Sequence, residues 1–198
     1  MSTQALRLFI AIELTPEVQQ AIGRVQAELQ GQLSPRMVRW TNPAGIHLTL
    51  KFLGDTRPEQ TPAIAQAMRM AAASFEPFTL VVAGLGCFPN PRQPRVLWVG
   101  APAVPRALAG VQRALDLHLA GLGYPKETRP FSPHLTLGRV SDRAALAERQ
   151  ALAGLLARAQ VAELGSLPVQ EIVLFRSELR PEGAVYAAQA RAPLSNRP

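Results

Sequence analysis

His47-Leu48-Thr49-Leu50 and His134-Leu135-Thr136-Leu137 are one tetrapeptide, written once in each half of a 198-residue chain. The chain holds three histidines, and two of them head these copies. In a strand, alternate side chains share a face. His47 and Thr49 therefore face one way, and Leu48 and Leu50 the other. The same alternation holds for His134, Thr136, Leu135 and Leu137. The leucines belong to a core, and the histidines and threonines to an opposite, polar face.

The surroundings of the two copies also repeat. Residues 6–13 read as a buried strand. Thr15 and Pro16 open a helix that runs to about residue 33, with Val18, Ile22, Val25 and Leu29 on its apolar face. Residues 38–40 are extended, and 42–45 form a turn into the first motif strand, which stops at Gly54-Asp55. A helix over about 59–75 and a strand over 78–82 follow. Gly84, Gly86 and the proline-rich residues 89–94 read as an irregular connection between halves. The order then restarts with a strand over 95–100 and a helix opened by Pro105 and closed by Gly121 and Gly123. A loop over 124–130 leads to the second motif strand. Next come a helix over about 144–160, a strand over 169–179, a turn at Pro181-Glu182-Gly183, a strand over 184–192 and a frayed end. Phe9 precedes His47 by 38 residues, and Trp98 precedes His134 by 36.

This repeat predicts an α/β (α+β) bilobal, duplicated fold. Two antiparallel-rich sheets related by a pseudo-twofold flank a central cleft, with helices on the outer faces. The expectation is one two-lobed domain over residues 1–198. Its first half covers about 1–90 and its second about 91–193, and the lobes are free to exchange strands.

Hydrophobic content of 47% with 18% charged residues describes a folded globular chain. No apolar run approaches the roughly 20 residues of a membrane span. The run over residues 8–12 is too short for a signal segment and ends at Glu13. A cytoplasmic protein without membrane association is expected. The single cysteine, Cys87, excludes an internal disulfide and a cysteine-rich zinc site, and reads as a packed residue. The net charge is +7, and Lys51 and Lys126 are the only lysines. A surface of arginines suits phosphate and is compatible with RNA.

Two imidazoles facing each other suit phosphoryl chemistry. A neutral one takes a proton from the attacking hydroxyl, and a protonated one gives a proton to the leaving oxygen. The threonine hydroxyls can bond the non-bridging oxygens. One His-x-Thr on a strand is ordinary, and duplication at equivalent positions is what carries the reading. A metal is not expected, since two histidines with no neighbouring Asp, Glu or Cys fall short of the three or four ligands zinc takes. His118 lies beside the Leu115/Leu119 helix face and reads as a half-buried or surface residue.

Paired His-x-Thr-x motifs in a duplicated α/β chain resemble the 2H phosphoesterase superfamily. The closer resemblance is to the bacterial and archaeal RNA 2′,3′-cyclic phosphodiesterases, also called 2′-5′ RNA ligases. It runs from Arg7-Leu8-Phe9-Ile10-Ala11-Ile12, through Trp40 to Gly54 and Phe131 to Arg139, to Leu174-Phe175-Arg176-Ser177-Glu178-Leu179 with Gly183 and Tyr186. The resemblance implies hydrolysis of a terminal 2′,3′-cyclic phosphate on RNA, tRNA fragments included, to a 2′-phosphate. It makes His47 the proton donor and His134 the proton acceptor, with Thr49 and Thr136 on the phosphate. With a 5′-hydroxyl RNA end replacing water, the same site would join RNA ends through a 2′-5′ linkage. No metal, nucleotide cofactor or obligate protein partner is implied, and a monomer is expected.

Three further residues are candidates for binding substrate. Arg139 is the basic residue of the second motif, yet strict alternation puts it on the leucine side, so it needs a bulge or a strand end to reach the cleft. Lys51 has the parity of His47 and Thr49 and is the alternative phosphate contact. Phe9, with Phe52, Trp40 and Phe131, is core by default, and one such ring is expected to stack on a terminal base. Two other readings use the same motifs: a phosphodiesterase of a small cyclic nucleotide, such as a cyclic ADP-ribose phosphate, and a non-catalytic RNA-end-binding protein.

Overall fold

Two antiparallel sheets carry the two motifs, one each. The computed structural model describes residues 5–180 and 183–195. The expected turn at Pro181-Glu182 and the chain end beyond 195 lie outside the described residues. In chain order the elements are β1 (Leu6–Glu13), α1 (Pro16–Gln30), β2 (Val38–Trp40), β3 (His47–Thr56), α2 (Thr61–Ala72), β4 (Phe78–Phe88) and β5 (Val96–Gly100). They continue with α3 (Arg106–Ala120), β6 (His134–Val140), α4 (Leu146–Arg158), β7 (Gly165–Val169), β8 (Glu171–Arg180) and β9 (Gly183–Pro193).

The first sheet has the order β3-β1-β8-β9, and the second β2-β6-β5-β4-β7. The sheets therefore do not follow the sequence halves. The last two strands of the chain complete the first sheet, and β2 and β4 sit in the second. Helices cross over as well: α1 packs on β7, while α3 packs on β3 and α2. Thr15 caps α1 through a hydroxyl that accepts the Val18 N–H at 3.5 Å. Val18, Ile22, Val25 and Leu29 are buried at helical spacing, as the sequence predicts.

One large core takes the leucine face of both motifs. Leu48, Leu50, Leu135 and Leu137 join Ile10, Leu97, Leu108 and Leu152 there. A second, small cluster lies on the other face of the first sheet: Phe9, Ala11, Val173 and Phe175, with Tyr186 packed on it. That sheet is strongly curled. Tyr186 on one edge strand reaches the ring of His47 on the opposite edge, at 4.9 Å between centroids.

Register gives the repeat its true alignment. Ala11 pairs with Thr49, and Trp98 with Thr136. Both pairs are offset by 87 positions, as His47 and His134 are. The structural counterpart of Trp98 is therefore Ala11, and not the Phe9 that the sequence spacing suggests. Two strand boundaries also differ from expectation. Gly84 and Gly86 lie inside β4, which runs on to Phe88. The stretch before residue 171 contains a separate strand, β7, that hydrogen-bonds to β4. Gly86 is required there because the Trp98 indole occupies the place of its side chain. A Cβ there would stand 2.2 Å from the ring.

Candidate active site

β3 and β6, one from each sheet and each opening on its motif histidine, are in contact, and the leucines of both motifs share one core. In each motif the histidine Nδ1 lies against the carbonyl oxygen two residues earlier: Gly45 at 3.0 Å for His47, and Ser132 at 2.8 Å for His134. A carbonyl can only accept, so Nδ1 carries the hydrogen, and Nε2 is the nitrogen left for chemistry. Thr49 and Thr136 are half-buried beside their histidines, and their partners Leu48, Leu50, Leu135 and Leu137 are buried.

The two imidazoles have different surroundings. His47 stacks on Phe9 at 4.5 Å and meets the edge of Tyr186, with Phe175 beyond at 6.0 Å. Burial in this aromatic box pushes its pKa down to about 4, and the bond to Gly45 offsets this only in part. Among the described residues His134 meets one aromatic ring, Phe88, edge to face at 4.9 Å, with Trp98 next to Phe88. A cavity of about 320 Å³ opens beside His47, lined by Glu13, Gln19, Gly45, Phe175 and Tyr186 among others.

The same irregularity follows each motif. β1 and β3 slip register at Leu50, and β5 and β6 slip at Leu137. Each leucine is an unpaired, bulged residue, and each bulge reverses the alternation of the residues after it. The second bulge has visible support, because the Leu137 carbonyl accepts both the Thr41 N–H at 2.9 Å and Gln26 Nε2 at 2.8 Å.

The bulges decide the fate of three candidates. Arg139 is exposed on the same face as His134 and Thr136, so the bulge it requires is present. Lys51 is turned the other way and is 3% exposed. Its Nζ pairs with Asp116 at 2.7 Å and donates to the Pro125 carbonyl at 2.5 Å. Lys51 is thus corrected from a phosphate contact to a buried tie between β3, α3 and the loop leading to His134. Phe52 takes the place expected of Lys51, on the motif face and 67% exposed. Phe9 is corrected as well. At 3% exposure beneath His47, it supports the imidazole and has no free face for a base. Trp40 and Phe131 pack against the main core, His118 is half-buried on α3, and Cys87 is buried.

Two consecutive matches to the family of LigT-like phosphoesterases cover residues 12–98 and 99–186. The chain belongs to that family. Each match contains one motif, so the duplication seen in the sequence is the family's own repeat. Among relatives of this LigT-like phosphoesterase is the RNA 2′,3′-cyclic phosphodiesterase of Methanothermobacter thermautotrophicus, 36% identical over 181 residues, covering 91% of this chain and 95% of that protein. Another of the same name, from Thermus thermophilus, is 34% identical and covers 91% of this chain and 86% of that one. The LigT of E. coli in complex with 3′-AMP superposes with a TM-score of 0.77 at 26% identity, covering 96% of this chain and 98% of that one. A Thermus thermophilus structure matches with a TM-score of 0.77 at 30% identity, covering 95% and 97% of the two chains.

Alternation alone misses Phe52 and misplaces Lys51 in this LigT-like phosphoesterase. Tyr186, Phe88 and Phe175 come to the histidines from strands far away in sequence. Tyr186 stands out in sequence only as part of the closing hairpin. No local pattern around His47 or His134 points to these rings.

Proposed function

We propose that the chain is an RNA 2′,3′-cyclic phosphodiesterase that opens the cyclic phosphate to a 2′-phosphate, with His47 as acid and His134 as base. The observation that carries this is the duplicated His-x-Thr pair on two contacting strands, each imidazole tied through Nδ1 to a carbonyl so that Nε2 is left for the substrate. His134 Nε2 takes a proton from water as the water oxygen bonds to phosphorus. The P–O3′ bond breaks, and His47 Nε2 gives its proton to O3′. Thr49 and Thr136 hydroxyls donate to the non-bridging oxygens. The 2′-phosphomonoester and a free 3′-hydroxyl remain. With the 5′-hydroxyl of a second RNA end in place of water, the same step forms the P–O5′ bond as P–O3′ breaks and makes a 2′-5′ linkage.

The aromatic box around His47 keeps the free imidazole neutral near pH 7. The proton needed for the acid role arrives with the phosphate, whose negative charge favours the imidazolium. Arg139 stabilises the same charge from the second sheet. Phe52 offers an exposed ring to the terminal base on the His47 side, where the ribose of the leaving oxygen lies. The reading includes a monomer acting in the cytoplasm, with tRNA fragments among its RNA ends, because one chain supplies both histidines.

The test is incubation of a short RNA ending in a 2′,3′-cyclic phosphate, with a chelator present. The expected product is heavier by one water and carries a phosphatase-sensitive 2′-phosphate. Unchanged RNA would overturn the reading in favour of a small cyclic nucleotide or pure binding, and a 3′-phosphate would reverse the leaving oxygen.

A further inference from the structure

A terminal cyclic phosphate is common to an RNA end and a mononucleotide. What an RNA end brings besides is a second phosphate, the linkage on the 5′ side of its last nucleoside. The two ends of the first sheet differ sharply in their welcome for it. At the end holding Glu13 and Glu171, both carboxylates close on Arg191, with Glu13 at 2.6 Å. Two carboxylates around one guanidinium leave a negative surface, which repels phosphate.

The opposite end is basic. Arg7 is exposed on the face of β1 that carries Phe9 and Ala11. Register puts Asp55, Arg7, Ser177 and Tyr186 in one row across all four strands of the sheet. Asp55 flanks Arg7 without closing an ion pair, and no described residue pairs with the Arg7 guanidinium. Arg139 approaches from the second sheet. Both arginines act electrostatically on the Tyr186 hydroxyl, favouring its ionised form against burial, so the three groups share one neighbourhood. Arg7 lies four residues along β1 from Ala11, the partner of Thr49, or about 13 Å of strand. A long arginine stem spans part of that distance back toward the motif threonine.

We propose that Arg7 and the Tyr186 hydroxyl form a subsite for the phosphodiester 5′ to the terminal nucleotide, next to the Arg139 that serves the cyclic phosphate, so that an RNA chain leaves the cleft over Arg7. This rests on the RNA-end reading and sharpens it: the preferred substrate has at least two nucleotides. Guanidinium and phenol are charge-assisted and neutral donors to the same anionic oxygens, and they read no base. The subsite is accordingly indifferent to sequence.

The test compares a mononucleotide 2′,3′-cyclic phosphate with a dinucleotide one, and the dinucleotide with its uncharged methylphosphonate linkage, in wild type and Arg7→Met. Binding of the corresponding 2′-phosphate products is measured by calorimetry alongside turnover, so the subsite is read even without catalysis. Wild type is expected to favour the charged dinucleotide by about three- to tenfold, the scale of one exposed charge-assisted bond. Arg7→Met lowers most of that preference and leaves the mononucleotide unchanged, and Arg7→Lys restores part of it. The methylphosphonate costs wild type the same factor and costs Arg7→Met distinctly less. Equal binding of all three ligands by wild type, or an equal loss on all of them in Arg7→Met, would overturn the subsite. Tight, charge-dependent binding without hydrolysis would keep the subsite and overturn the phosphodiesterase reading.

Discussion

Phe52 and Arg139 occupy one position of the repeat. Each stands five residues after its motif histidine, two past a bulged leucine, exposed on the motif face. The duplication made two equivalent corners, and the sequence has filled one with an apolar ring and the other with a cation. The motif face therefore carries an exposed apolar ring on the His47 side and an exposed cation on the His134 side.

Stacking on an aromatic side chain contributes about 1–3 kcal/mol per base. Phe52→Ala is expected to raise KM for a cyclic-phosphate substrate by roughly five- to hundredfold, with kcat little changed, while Phe52→Trp keeps it low. Steady-state kinetics on substrates with different terminal bases checks this. A collapse of kcat at constant KM would remove Phe52 from base binding.

Lys51 makes a contrasting prediction. Removing one partner of a buried ion pair leaves an uncompensated charge and costs about 3–5 kcal/mol. Lys51→Met should lower the denaturation midpoint strongly, and replacing Asp116 by Asn in the same chain should recover part of it. KM of the folded fraction should stay near wild type, because Lys51 faces Asp116 and Pro125 rather than the cleft. A stable variant with a raised KM would return Lys51 to the phosphate.

Gly138 is the counterpart of Lys51 in the second half, and it has no room for a side chain. A Cβ there would stand 2.7 Å from Val38 Cγ1 and 3.0 Å from the Arg39 carbonyl oxygen. Gly138→Ala should cost about 1–3 kcal/mol by forcing β2 away from β6, read by chemical denaturation. An unchanged midpoint would mean that β2 is held more loosely than its register implies.

The pH dependence of stability follows from His47. Its folded pKa of about 4 lies below the ordinary 6.5, so between those values the unfolded chain binds more protons. The stabilisation is present in full above pH 6.5 and is lost as pH falls toward 4. Wild type should lose up to about 3 kcal/mol more than His47→Gln over that window. Parallel stability curves for the two proteins would place His47 in a wetter site.

Much of this was legible in the chain. The motif duplication, the face of each motif residue up to the bulged leucine, and the apolar stripes of α1 and α3 follow from periods that any strand or helix imposes. What alternation cannot foresee is an extra residue. The bulges at Leu50 and Leu137 depend on contacts such as Gln26 to the Leu137 carbonyl, 111 positions away, and they separate Lys51 from Phe52 and turn Arg139 to the face of Thr136. The aromatic box is equally non-local. Phe9 looked available because its strand was read without the imidazole that covers it. β7 escaped because Pro168 breaks the expected pattern, yet it hydrogen-bonds at an edge, where proline is tolerated.

The most direct measurement exchanges one atom. A short RNA cyclic phosphate with sulfur in place of the 3′ bridging oxygen has a leaving group that needs no proton. It would be compared with the oxygen substrate in wild type, His47→Ala and His134→Ala. The account predicts that both variants lose at least about a hundredfold on oxygen, that sulfur restores most of the rate to His47→Ala, and that His134→Ala stays slow on both. Rescue of His134→Ala instead would reverse the two roles, and rescue of neither would contradict proton donation by either histidine.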